Sequence, residues 1–232
     1  MFVEFIQRRW VLVWSLGISS VLFIAVIPYP IHGLIGGSDL IHRIHDTVGS
    51  IQYIPLWAVP VFVYGLTRKS EYVHLAVLSS IAVFVTGVWS KSLLASASWM
   101  QLVTLLPLVR REKFACAHIS PSMIPATIVG WWSSIIFSPN LISLQVNADN
   151  LNSHALRFHY SGMAGAYLAM AMCATCAALQ KLGRLSIGLV AGSFICTGVL
   201  NLAYANYESA LTGYWAIAFL ATGGVALLGL RR

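Results

Sequence analysis

Long apolar runs alternate with short polar breaks along the whole chain. A helix needs about 20 apolar residues to cross the core of a bilayer. Eight runs of roughly that length are readable: 10–28, 47–66, 72–90, 93–109, 121–138, 160–179, 184–204 and 211–230. Together they predict an all-α integral membrane protein. The boundary between the third and fourth runs is the least marked, because apolar character is nearly continuous from Tyr72 to Val109. That is about twice the length of one crossing. A tight turn at Ser90-Lys91-Ser92 or at Ser96-Ala97-Ser98 divides the run, and without one the count is seven. Pro28 and Pro139 each close an apolar segment. Pro55, Pro60 and Pro107 fall inside spans, where neighbouring helices can satisfy the carbonyls that proline frees. Trp10, Trp14, Trp99, Trp131, Trp132 and Trp215 lie near span ends, as interfacial belts do; Trp57 and Trp89 are placed deeper.

Composition supports a lipid-facing surface. The chain has 232 residues, 58% hydrophobic and 9% charged, against about 25% charged in an ordinary soluble domain. The net charge of +7 calls for no nucleic acid. With the N-terminus inside, eleven of the fourteen Lys and Arg residues fall on the cytoplasmic side, and Arg43, Lys91 and Arg157 fall outside. That partition follows the positive-inside rule and places both termini in the cytoplasm. No cleavable leader is expected, since the first apolar run lacks a small-residue cleavage site and meets Pro28 and Pro30. Cys173 and Cys176 have redox spacing but lie inside a span, so they read as small residues for helix packing.

The halves resemble each other. Pro28 and Pro139 are 111 residues apart, and so are Thr86-Gly87-Val88 and Thr197-Gly198-Val199. A second pair of segments carries the same polar residue types: His42-Arg43-Ile44-His45, and His154 through Arg157 to His159. Repeats decide architecture first. Two four-helix repeats, 1–111 and 112–232, are expected, related by a pseudo-two-fold axis along the membrane normal.

The same topology collects polar chemistry on the outer side. The outer connections, about 29–46 and 139–159, hold His42, His45, Asp46, His154 and His159. Histidine titrates near neutrality, and arginine forks onto carboxylate or phosphate. At helix N-termini, His45 and His159 would sit at the positive end of a dipole that also attracts anions. Arg43 and Arg157 would bracket a shared cavity. The same residues would also serve as headgroup anchors, with Asp46 capping the second helix. Lys91 and Glu208 lie at the outer boundary, where a pair between them is geometrically reasonable and Lys91 would otherwise snorkel to the surface. Asn201, Tyr204 and Tyr207 extend a polar stripe along the seventh span.

The leading reading is a membrane protein that binds or processes an amphiphile with an anionic head, of the lipid or isoprenoid class. Arg43, Arg157, His42, His154, Lys91 and Asp46 would bind; His45, His159 and Glu208 would transfer protons. An alternative is a redox protein in which His45 and His159 ligate a b-type haem, or a divalent metal held by the histidines and Asp46. A small-molecule transporter and a structural subunit are further alternatives. The transporter lacks an ionisable residue at the midplane. A retinal pigment is excluded, since the last two spans contain no lysine. The partners implied are membrane lipids and an amphiphilic or small-molecule ligand. A homo-oligomer is compatible with this set; nucleic acid is not part of it.

The tail, from Asn206-Tyr207-Glu208 through Trp215 to Arg231-Arg232, resembles the end of a family of small polytopic bacterial membrane proteins. These carry an acid before a last span that contains Trp and ends in basic residues. In that family's pattern the acid precedes Arg, whereas here Ser209 follows it. The resemblance covers the last two spans and implies an integral bacterial membrane protein.

Overall fold

The computed structural model describes residues 2–28, 31, 35, 47, 54–109, 119–148, 159–205 and 211–231. Among them the chain is all helical, with eight α-helices and no strand. These are α1 (Phe2–Val26), α2 (Val59–Thr67, preceded by a π-helical turn at Ile54–Ala58), α3 (Ser70–Trp89) and α4 (Leu94–Val109). After a short 3-10 turn at Pro121–Met123 come α5 (Ile124–Asn147), α6 (His159–Leu179), α7 (Arg184–Ala203) and α8 (Gly213–Leu228). Three of them, α3, α6 and α7, are long and apolar enough to cross a membrane. Shorter apolar helices run over Trp10–Ile24, Ile54–Thr67, Leu94–Val109 and Gly213–Leu228.

The apolar run from Tyr72 to Val109 is divided at the first of the two expected positions. α3 ends at Trp89 and α4 begins at Leu94. The Pro139 expectation is corrected: α5 continues through Pro139 to Asn147. Proline removes one amide donor from a helix, but its fixed φ remains helical. Ile142, beyond the proline, is buried and holds the continuation against the bundle. The second polar connection therefore begins after Asn147, later than expected.

Helix α6 is the centre of the bundle. Most of its length is buried on every side, and small residues line it, including Ala164, Gly165, Ala169, Ala171 and Ala174. Such residues let neighbouring backbones approach closely. α5 packs along one side of α6 and α3 along another. α1 closes against α4, and α5 against α8. The π turn before α2 reaches α7. Trp10, Trp14, Trp89, Trp99, Trp131 and Trp132 are exposed. Trp215 instead joins an aromatic cluster, its ring centroid 5.1 Å from Phe137 and 6.3 Å from Phe219. Trp57 is buried and donates from Nε1 to Ser80 Oγ at 2.9 Å.

The two Thr-Gly-Val segments do the same local work. Thr86 Oγ1 donates to Ala82 O at 2.9 Å, and Thr197 Oγ1 to Ser193 O at 2.8 Å. Both hydroxyls are thus satisfied within their own helix. The glycines are points of closest approach. A Cβ on Gly87 would lie 2.6 Å from the Ala95 amide nitrogen, where α4 turns back on α3. One on Gly198 would lie 2.6 Å from the Ala216 carbonyl oxygen of α8.

Proline placement also has a local answer. Pro60 has no amide proton for the carbonyl four residues earlier, that of Leu56. Ser79 Oγ of α3 donates to that carbonyl at 2.6 Å. The hydroxyl replaces the missing backbone donor and ties α2 to α3.

Two outcomes are expected. Gly87→Ala and Gly198→Ala each lower stability by about 1–3 kcal/mol, since backbone atoms must move to admit the methyl group. Gly192→Ala, in the same helix as Gly198 but with open space around it, is neutral or raises stability by up to about 1 kcal/mol. Detergent-solubilised thermal melts read both. Ser79→Ala costs about 1–3 kcal/mol by stranding a buried carbonyl. That cost shrinks when Pro60→Ala restores a backbone donor, which a double-mutant cycle measures.

Candidate functional site

The end of the bundle that holds the α3–α4 turn gathers the described residues expected to form a site. The turn is built from α3's last carbonyls. Ser92 N donates to Gly87 O at 2.8 Å and Lys91 N to Val88 O at 3.1 Å. This is a Schellman closure. Its left-handed position is occupied by Lys91, with φ of 54°, where glycine is usual. The closure turns the two flanking serines inward and leaves Lys91 exposed.

Those serines join the turn to the start of α6. Ser90 Oγ donates to Ser161 Oγ at 2.7 Å, and Ser92 Oγ lies 2.9 Å from the same atom. Ser161 is fully buried. Its backbone amide donates to Gln145 Oε1 of α5 at 3.3 Å. Three helices and one turn are thereby fixed around a hydroxyl cluster. His159 stands two residues before Ser161, half-buried at the first position of α6, with its ring nitrogens shielded from solvent. Lys91 and His159, expected to share one outer site, belong to segments that the structure bonds together.

A cleft of about 310 Å³ opens on the flank of the same hairpin, lined by Phe84, Ala95, Ser96 and Trp99. The Phe84 and Trp99 rings form its aromatic wall, with centroids 5.5 Å apart. The cleft is apolar except for Ser96 and begins four residues beyond Lys91.

The remaining expected residues, His42, Arg43, His45, Asp46, His154, Arg157 and Glu208, lie outside the described residues. The haem and metal expectations rest on several of them. Among the described residues, no group of three or more His, Cys, Asp or Glu is arranged to hold a metal. Of the polar stripe on α7, Asn201 serves the fold. It donates to Thr197 O at 2.8 Å and accepts from Leu211 N at 2.9 Å, which closes the approach to α8.

The opposite end of the bundle carries polar chemistry that sequence reasoning did not single out. Glu71, in the first turn of α3, accepts a hydrogen bond from the backbone amide of Gly183, the residue before α7. A carboxylate at a helix N-terminus is favourably placed against the dipole. One turn along α3, buried His74 meets buried Gln180 at the end of α6, Nδ1 to Oε1, at 3.2 Å. Because an amide oxygen only accepts, His74 donates from Nδ1. The available signal was His74 itself, a histidine within an otherwise apolar run.

Compared with known proteins, the chain matches no protein family, no curated protein and no solved structure.

Proposed function

We propose that the chain is an integral membrane protein of two four-helix halves, 1–111 and 112–232. In this reading it binds an amphiphile with an anionic head at the α3–α4 end. That end faces outward from a bacterial inner membrane, and both termini are cytoplasmic. Three helices of spanning length and a surface rich in exposed Trp, Leu, Ile and Val support the membrane setting.

One observation carries the binding reading. A cation, Lys91, is held on a hydrogen-bonded turn next to an apolar cleft. The same turn is bonded to the α6 start that bears His159. A headgroup needs fixed positive charge and donors; its tail needs an apolar trough. Lys91 and the N-terminal end of α6 offer the first, and Phe84, Ala95 and Trp99 offer the second. Arg43 and Arg157 are assigned to the head in this scheme, with His42, His154 and Asp46 around it. His45, His159 and Glu208 are assigned to proton transfer if the bound head is also processed.

The test uses the unusual backbone of Lys91. Lys91→Gly removes the charge while favouring the left-handed turn, so it keeps or raises thermal stability. Anionic lipid that co-purifies with the wild type is expected to fall roughly fivefold to tenfold in Lys91→Gly, the scale of about 1 kcal/mol. Arg157→Ala is expected to act in the same direction. Lipid extraction and mass spectrometry of both variants read this. An unchanged lipid profile in a folded Lys91→Gly protein sinks the reading.

A further inference from the structure

We infer a second ligand site at the opposite, α6–α7 end, one that takes an amphiphilic anion: a carboxylate or phosphate head on an apolar body. It is a cavity of about 720 Å³ between residues 119–122 just ahead of α5, the end of α6, the first turn of α7 and the end of α8. Small-molecule sites commonly enclose about 300–1,000 Å³. Its walls are largely apolar, with Ile187 and Val225 among them.

Each polar side chain of the cavity can donate a hydrogen bond, the serine hydroxyls accepting as well. Gln180 lines it and is 7% exposed. The Oε1 atom of Gln180 is engaged by His74, while its Nε2 has no hydrogen-bond partner. An unmatched buried amide donor is costly, and an acceptor supplied by a ligand removes that cost. With Oε1 facing His74, Nε2 is the end of the amide left to donate. Ser120 and Ser122 present a pair of hydroxyls 3.2 Å apart on the same lining. Lys181 adds an exposed cation. The described lining contains no Asp or Glu; the nearby Glu71 accepts from Gly183 N through Oε2, and its Oε1 is buried with no hydrogen-bond partner. Donors and one positive charge over an apolar floor select an anion that carries an apolar body. A neutral apolar molecule would leave Nε2 unmatched, and a bare anion would leave the floor unfilled.

This inference rests on residues separate from the α3–α4 end and stands whether or not that end binds lipid. Detergent-purified full-length protein is titrated with a dansyl-labelled long-chain fatty acid and with the corresponding labelled alcohol. Gln180→Glu keeps an acceptor for His74 and replaces the amide donor by negative charge. Lys181→Ala alters only an exposed side chain and keeps the test decisive if Gln180→Glu does not fold. Acid binding is expected to weaken at least tenfold in Gln180→Glu and roughly threefold in Lys181→Ala, with alcohol binding unchanged. Lys91→Gly identifies any separate component at the α3–α4 end and is expected to leave the Gln180-sensitive component intact. Wild-type acid affinity in folded Gln180→Glu or, where that variant does not fold, in Lys181→Ala overturns the site. So does acid binding that only Lys91→Gly abolishes. Inorganic phosphate is expected to displace the acid only weakly; displacement with equal potency overturns the amphiphilic assignment.

Discussion

The antiparallel contact between α3 and α6 organises the molecule. Polar bonds cross it at intervals along its length. Gly183 N meets Glu71 just beyond one end of α6, and His74 meets Gln180. Ser79 Oγ lies 3.3 Å from Cys173 Sγ midway. Ser90 and Ser92 meet Ser161 at the other end. If these helices lie in lipid, they gain little from excluding water, and close packing and interhelical hydrogen bonds hold them. The alanines and glycines of α6 provide the packing, and these bonds fix the register. Because both ends of the seam are pinned, the α3–α4 turn and the α6–α7 loop are set by one interface.

The seam also explains why irregular backbone is tolerated beside it. Pro60 frees the Leu56 carbonyl, and Ser79 on the face of α3 that also meets Cys173 takes it up. Trp57 leans on Ser80 in the adjoining position. A π turn next to an exposed helix would leave such groups unsatisfied, and in lipid each would be expensive. α3 thus supports α2 through the same stretch that bonds α6. The two positive-φ residues among the described ones, Arg68 and Lys91, both end helices. At both positions the backbone amide closes the helix, Arg68 N donating to Tyr64 O and Lys91 N to Val88 O, in the left-handed conformation where glycine is usual.

Helix placement was legible because the apolar runs are long and the breaks polar. That a turn divides Tyr72–Val109 was legible from the length of the run, but the choice between Ser90-Lys91-Ser92 and Ser96-Ala97-Ser98 was not. The extension of α5 past Pro139 was not. Proline marks a lost hydrogen bond, and whether a helix survives it depends on burial beyond, here of Ile142, which is a tertiary fact. Thr-Gly-Val was readable as a recurring segment, but its use at a close helix approach needed the partner helix. At the site, Lys91 and His159 stood out as ionisable groups at the ends of apolar runs. Ser161 did not, because serine is common in such helices and its partners are 69 and 71 residues away. Gln180 and His74, 106 residues apart, left no local pattern, and a histidine at the start of a span reads as a boundary residue until its neighbour is known.

The 111-residue spacing separates scaffold from chemistry. At that spacing Thr86 and Gly87 fall on Thr197 and Gly198, which pack alike. Lys91 falls on Leu202, Ser92 on Ala203 and His74 on Leu185. Ser90 falls on Asn201, and the two residues work differently. Ser90 reaches across to α6, while Asn201 spends both ends of its amide on Thr197 and Leu211 of its own hairpin. The close-packing glycine thus recurs at that spacing, and Lys91, Ser92 and His74 do not. A pair of equivalent sites across an axis would require Lys91 to have a cationic counterpart at position 202, and leucine cannot supply one. The α3–α4 end is therefore one-sided in its described residues: the α3–α4 hairpin brings the cation and the cleft, and α6 brings the helix start that the turn is bonded to.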